Sequence, residues 1–194
     1  MRNPIRLKNF STRFLPLYVI GLALLVFHPP SPEMFGLAMP LIAAGAVLRG
    51  WGAGHLVKND RLTTSGPYAH VRHPLYVGTI LIATGFGILL GGWPLLLALA
   101  LIWPWFAFHY FPRKEETESH RLQELYGERF SRYRNAVPAL WPRFRAWCDE
   151  ESDGASTLAR PWAFECYSEN NELGTLLAVG AGVLIFWLRG WVGG

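Results

Sequence analysis

Five blocks of apolar residues, separated by short basic or proline-rich stretches, constrain this chain more than any other feature. They lie at about 14–30, 34–57, 74–90, 93–111 and 173–192. A helix crosses the hydrocarbon core of a bilayer with ~20 apolar residues, and roughly 17 suffice. Of the 194 residues, 51% are hydrophobic and only 16% charged, against roughly 25% charged in soluble chains. A soluble globular domain, a disordered chain and a disulfide scaffold are all poor matches to that pattern. The prediction is an all-α polytopic membrane helix bundle with about five transmembrane helices, forming a single domain over 1–194. Residues 112–172 are expected to form a helical cap on the cytoplasmic side.

The first block has a basic flank (Arg2, Arg6, Lys8, Arg13) and the length of a secretory signal. No Ala-x-Ala cleavage pattern follows, so it reads as a retained helix. Lys and Arg are held on the cytoplasmic side of short loops. They crowd the N-terminus, the second loop (Lys58, Arg61, Arg72) and the stretch 112–172, and are absent from 28–33 and Gly91-Gly92. This predicts a cytoplasmic N-terminus and a C-terminus on the opposite side. The net charge of +4 then reflects topology, and no nucleic-acid partner is expected. Cys148 and Cys166 form no metal or disulfide pattern. His55, His70 and His73 lack an acidic co-ligand pattern, so no metal is expected.

Gly91-Gly92 must turn the third and fourth blocks into a hairpin, with Pro94 and Pro104 placed to kink the fourth. The start of one block and the end of the other therefore meet at one membrane face. The run Arg72-His73-Pro74-Leu75-Tyr76 opens the third block, and Glu115 and Glu118 follow the fourth. The start of the third helix directs free N–H groups and a positive dipole end toward that face. Arg72 and His73 add donors suited to a carboxylate or phosphate, Glu118 supplies an opposite charge, and tyrosine faces attract cations. Beyond them, Leu122, Leu125, Tyr126, Phe130 and Tyr133 recur at helical spacing on one face. That pattern predicts an amphipathic helix over 115–133 lying on the inner leaflet. Residues 149–157 read as a flexible loop, and Arg49 stands inside the second block, where it needs a partner or a path to the interface.

The stretch from Gly66-Pro67-Tyr68 through Arg72-His73-Pro74-Leu75-Tyr76-Val77-Gly78 resembles the Arg-His-Pro-x-Tyr motif of membrane-embedded isoprenylcysteine carboxyl methyltransferases. Phospholipid N-methyltransferases are more distant relatives of that family. A second family motif is matched by Glu118-Ser119-His120-Arg121-Leu122, Tyr126-Gly127, Phe130 and Tyr133. Val137-Pro138 and Trp141-Pro142 resemble its closing segment, so the likeness covers about residues 49–142.

This resemblance implies a membrane methyltransferase whose cofactor is S-adenosylmethionine. It assigns cofactor binding to Arg61, Leu62, Thr63, Tyr68, His73, Pro74, Leu75, Tyr76 and Glu118, and a catalytic role to Arg72 and His73. Lys114 occupies the position of a substrate-binding arginine, and Arg49 joins it as a candidate anchor for an acidic head group. The implied acceptor is a membrane lipid or lipid-modified molecule arriving from the lipid bilayer. Alternative readings are a phospholipid-amine N-methyltransferase, an NAD(P)H-dependent membrane reductase and a non-enzymatic membrane partner or sensor. Ser119 replaces the second glutamate of the family motif, and Glu115, one helical turn earlier, could compensate. Residues 143–194 have no counterpart in the family pattern.

Overall fold

The computed structural model describes residues 32–57, 61–148 and 161–192. The first apolar block, Lys58 and residues 149–157 lie outside them. A 3₁₀ turn, Pro32–Met34, leads into helix α1, Phe35–His55. Helix α2 is Pro74–Leu90 and α3 is Gly92–Trp105. Helix α3 continues through a π-helical turn, Phe106–Tyr110, into α4, Phe111–Ala136, which is broken at Gly127 (φ +51, ψ −131), so the helix expected over 115–133 is two helical pieces joined at a kink. A short helix α5, Phe164–Glu169, precedes α6, Glu172–Val192. The described residues are all-α, as expected. Helix α1, the continuous stretch from Gly92 and α6 are long and apolar enough to cross a membrane, and α2 is a 17-residue apolar helix.

Local chemistry explains the joints. Pro74 takes the first position of α2, where its missing N–H costs nothing. Gly91 ends α2 at φ +62, a conformation that L side chains rarely adopt, and α3 begins at the next residue. Pro94 falls in the first turn of α3, so it bends nothing. Pro112 cannot donate to Phe108, one turn earlier. The chain widens there, and Phe111 donates instead to the carbonyl of Phe106, five residues back.

Helices α1 and α2 meet through small residues. A Cβ on Gly45 would come within 2.6 Å of the Gly78 carbonyl oxygen, so only glycine lets the backbones approach this closely. Helix α6 completes this layer: Val179, Val183 and Phe186 pack on buried Ala38, Ile42 and Leu89. Phe186 also meets Phe86, with ring centroids 5.5 Å apart. Leu96, Leu99 and Leu101 on α3, and Leu176, Leu184 and Leu188 on α6, face outward, as lipid-contacting residues do.

Arg49 finds its partner in α6. Its Nε and Nη2 donate to the two carboxylate oxygens of Glu172 at 2.7 and 2.8 Å, and Nη1 donates to Thr79 Oγ1 at 2.6 Å and to the Leu75 carbonyl at 3.2 Å. One guanidinium thus ties α1, α2 and α6 together near the end where α2 begins.

Candidate active site at the polar end of the hairpin

A cavity of about 430 Å³ opens where α1 ends, α2 begins and α4 folds back over both. The floor comes from the loop before α2. Ser65 leads into a 3₁₀ turn, Gly66–Ala69, which buries Tyr68. A strap from the far side of α4 holds this loop through its backbone. Arg72 and His73 donate to the carbonyls of Pro138 and Ala139 at 2.9 and 3.1 Å. Arg143 and Trp147 donate back to His70 and Ala69, each at 2.9 Å. The resemblance of Val137-Pro138 and Trp141-Pro142 to a closing segment therefore corresponds to a structural clamp on the histidine loop.

Arg61, Leu62, Thr63, Tyr68, Arg72 and His73 all line the cavity, as do Pro74, Leu75, Tyr76 and Glu118. The hairpin brings the two motifs together. Tyr76 donates its phenol proton to Glu118 Oε1 at 3.0 Å, and His73 Nδ1 lies 3.6 Å from Glu118 Oε2. Phe111 stands edge-on to His73, with centroids 5.4 Å apart. The Nε2 atom of His73 is buried without a hydrogen-bond partner. Buried polar atoms are nearly always paired, so an orphan on a cavity wall marks a place for a ligand atom.

The electrostatics follow from burial. Desolvation pushes the His73 imidazole below its ordinary value, against the opposing pull of Glu118 and Glu115, so the ring is neutral at neutral pH. Burial, with Tyr133 and Glu118 nearby, pushes the Tyr68 phenol well above its ordinary range. Tyr133, whose phenol burial also raises, donates to the Tyr68 carbonyl at 2.7 Å. Arg72 is engaged: Nη2 lies 2.7 Å from Glu115 Oε1 and Nε donates to the Val137 carbonyl. Glu115 thus neutralises Arg72 and leaves Glu118 to the cavity. Buried Ser119, at the second-glutamate position, also lines the wall.

Two of the sequence assignments stand apart from the cavity. Lys114 is exposed and does not line it. Arg49 does not line it either, because Glu172 occupies its guanidinium. The amphipathic face of α4 also has a different role from the membrane contact expected of it. Leu122, Tyr126, Phe130 and Tyr133 form the apolar roof of the cavity, with Phe130 and Tyr133 packed on Leu62. The helical spacing was visible in the sequence, but periodicity alone does not say whether an apolar face meets lipid or protein. Leu56 and Val57, which complete the wall at the end of α1, carried no sequence signal.

Residues 35–129 match the phospholipid methyltransferase family. The protein-S-isoprenylcysteine O-methyltransferase of Schizosaccharomyces pombe is 30% identical over 132 residues, covering 66% of this chain and 54% of the relative. That of Xenopus laevis is 33% identical over 122 residues, covering 57% and 40%. Over these segments the chain is similar to the isoprenylcysteine O-methyltransferases. The cobalt-zinc-cadmium resistance protein CzcN of Cupriavidus metallidurans is similar too, 35% identical over 124 residues that cover 63% of this chain and 55% of CzcN. The chain spans about half the length of the Schizosaccharomyces pombe relative and of CzcN. No solved structure matches it. The matched segment runs from the start of α1 to Arg129 in α4, so it contains the first motif, the second as far as Gly127, and most of the cavity wall.

Proposed function

We propose that this integral membrane protein is an S-adenosylmethionine-dependent methyltransferase acting on a lipophilic acceptor of the isoprenylcysteine type. The observation that carries this reading is the convergence of His73, Tyr76 and Glu118 on one cavity, with His73 Nε2 left without a partner. The cavity's size falls within the roughly 300 to 1,000 Å³ of small-molecule sites.

The donor set suits the cofactor. The neutral His73 offers its unpartnered Nε2 to a polar group. Glu118 offers a carboxylate for an ammonium or for ribose hydroxyls. Tyrosine faces at Tyr68, Tyr76 and Tyr126 suit a sulfonium. Bound there, S-adenosylmethionine supplies an electrophilic methyl group. The protein's own residues bind and orient, and the roof of Leu122, Tyr126 and Phe130 excludes water. Acceptors reach the site sideways from the bilayer. The site and the N-terminus face the cytoplasm, with the C-terminus opposite.

The test is transfer of radiolabelled methyl from S-adenosylmethionine to a small prenylated cysteine by protein purified in detergent. Label in the ester, lost on mild base treatment, supports the reading. Label entering phosphatidylethanolamine instead assigns the amine acceptor. Thermal stabilisation by a nicotinamide dinucleotide alone, with no methyl transfer, contradicts both.

A further inference from the structure

We infer that the segment 161–172, beyond the family-matched region, sets the wall of the cavity by capping the end of α1, with Asn170 and Trp162 as positioning residues for the ligand. Its consequence for binding rests on the methyl-donor reading; its consequence for the wall rests on geometry alone.

The last turn of a helix leaves carbonyls without intrahelical donors. In α1 the carbonyls of Ala53 and Gly54, and that of Leu56 just beyond the helix, are met by groups more than a hundred positions downstream. Asn170 Nδ2 lies 3.0 and 2.9 Å from the carbonyls of Ala53 and Leu56. Trp162 Nε1 donates to the Gly50 carbonyl at 3.0 Å, and the Ala163 amide donates to Gly54 at 3.0 Å. The segment is held in turn. Asn170 donates through its backbone to Cys166, and the Arg49–Glu172 pair pins the start of α6.

What this clasp grips is where the wall begins. Leu56 is both capped by Asn170 and part of the cavity lining, and Val57 follows it. The Val57 amide donates to Thr63 Oγ1, and Thr63 lines the same cavity. The exit direction of the chain from α1 is thus fixed by Asn170, and the positions of Leu62 and Thr63 depend on it. Gly54 marks the docking surface, since a Cβ there would fall inside the indole of Trp162.

The test compares full-length Asn170→Ala, Gly54→Ala and Trp162→Phe with Phe186→Ala. The last loosens α6 at the end of the bundle remote from the cavity. Hydrogen exchange at the amides of Leu56, Val57, Leu62 and Thr63 is measured without ligand, and S-adenosylmethionine affinity by titration. Losing a hydrogen bond worth ~1.4 kcal/mol corresponds to about tenfold, so Asn170→Ala should exchange about tenfold faster and bind about tenfold more weakly. Gly54→Ala should do the same even though alanine favours the helix. Trp162→Phe removes one donor, leaves a smaller aromatic ring in place and should give a smaller change of the same sign. Phe186→Ala should lower Tm but leave both readouts unchanged. Equal effects from Phe186→Ala, or unaltered exchange in Asn170→Ala, would overturn the inference. If the wild-type protein binds no donor, the methyl-donor reading fails and the exchange data alone decide the role of the clasp.

Discussion

The Nδ1 atom of His73 sits 3.6 Å from Oε2 of Glu118, although 45 positions separate them in the chain. The α2–α3 hairpin closes that distance. Gly91 reverses the chain, the helical stretch that follows carries Glu118 back to the start of α2, and beyond the non-helical Gly127 the rest of α4 packs on Leu62. The pairing therefore depends on backbone features remote from either side chain.

The neutral state of His73 makes stability pH-dependent. Its folded pKa is depressed by burial, and the neighbouring charges are Glu118, Glu115 and Arg72. The unfolded chain binds that proton more readily, so stability is full above the ordinary value of ~6.5 and falls as the pH drops below it. Thermal unfolding of donor-free protein between pH 7.5 and 5 should show this loss, and His73→Gln should flatten the curve.

Tyr133 supports the cavity floor through one bond. Tyr133→Phe keeps the ring in the cluster with Leu62 and Phe130 but strands the carbonyl of Tyr68. An unsatisfied buried acceptor costs ~1–3 kcal/mol. Denaturant unfolding in detergent should report a loss in that range, with weaker donor binding.

The Arg49–Glu172 pair is structural. Its side chains are only 18% and 5% exposed, so removing one partner strands a charge, at a cost of ~3–5 kcal/mol. Glu172→Leu should fall near that range. Arg49→Met combined with Glu172→Leu should recover much of the loss, since the uncompensated charge disappears with its partner. Equal losses in the single and double variants would contradict this account.

Sidedness can be read from Cys148, which is exposed beyond the strap on the cavity side, whereas Cys166 is buried. In intact cells a membrane-permeant maleimide should label Cys148 and an impermeant one should not. Labelling by both would place the cavity on the outer face.

Much of this site was legible in the sequence because its logic is local or topological. Pro74 starts a helix wherever it is read, Gly91-Gly92 forces a hairpin, and His73 and Glu118 must then share an end. What stayed hidden depends on long-range pairing. Nothing near Arg49 announces Glu172, 123 positions away. The caps supplied by Asn170 and Trp162 belong to a segment with no family pattern. The spacing of Leu122, Tyr126 and Phe130 gave the helix and its apolar face, but the identity of the covering surface emerges only when α4 folds onto Leu62.

In the proposed function His73, Tyr76 and Glu118 hold the methyl donor. Calorimetric titration of purified protein with S-adenosylmethionine and with its demethylated product tests this most directly. Saturable binding of both is expected, reduced at least about tenfold by Glu118→Ala through loss of charge-assisted contacts, and reduced likewise by His73→Ala. Absence of binding by the wild-type protein, or binding unchanged in both variants, would contradict it.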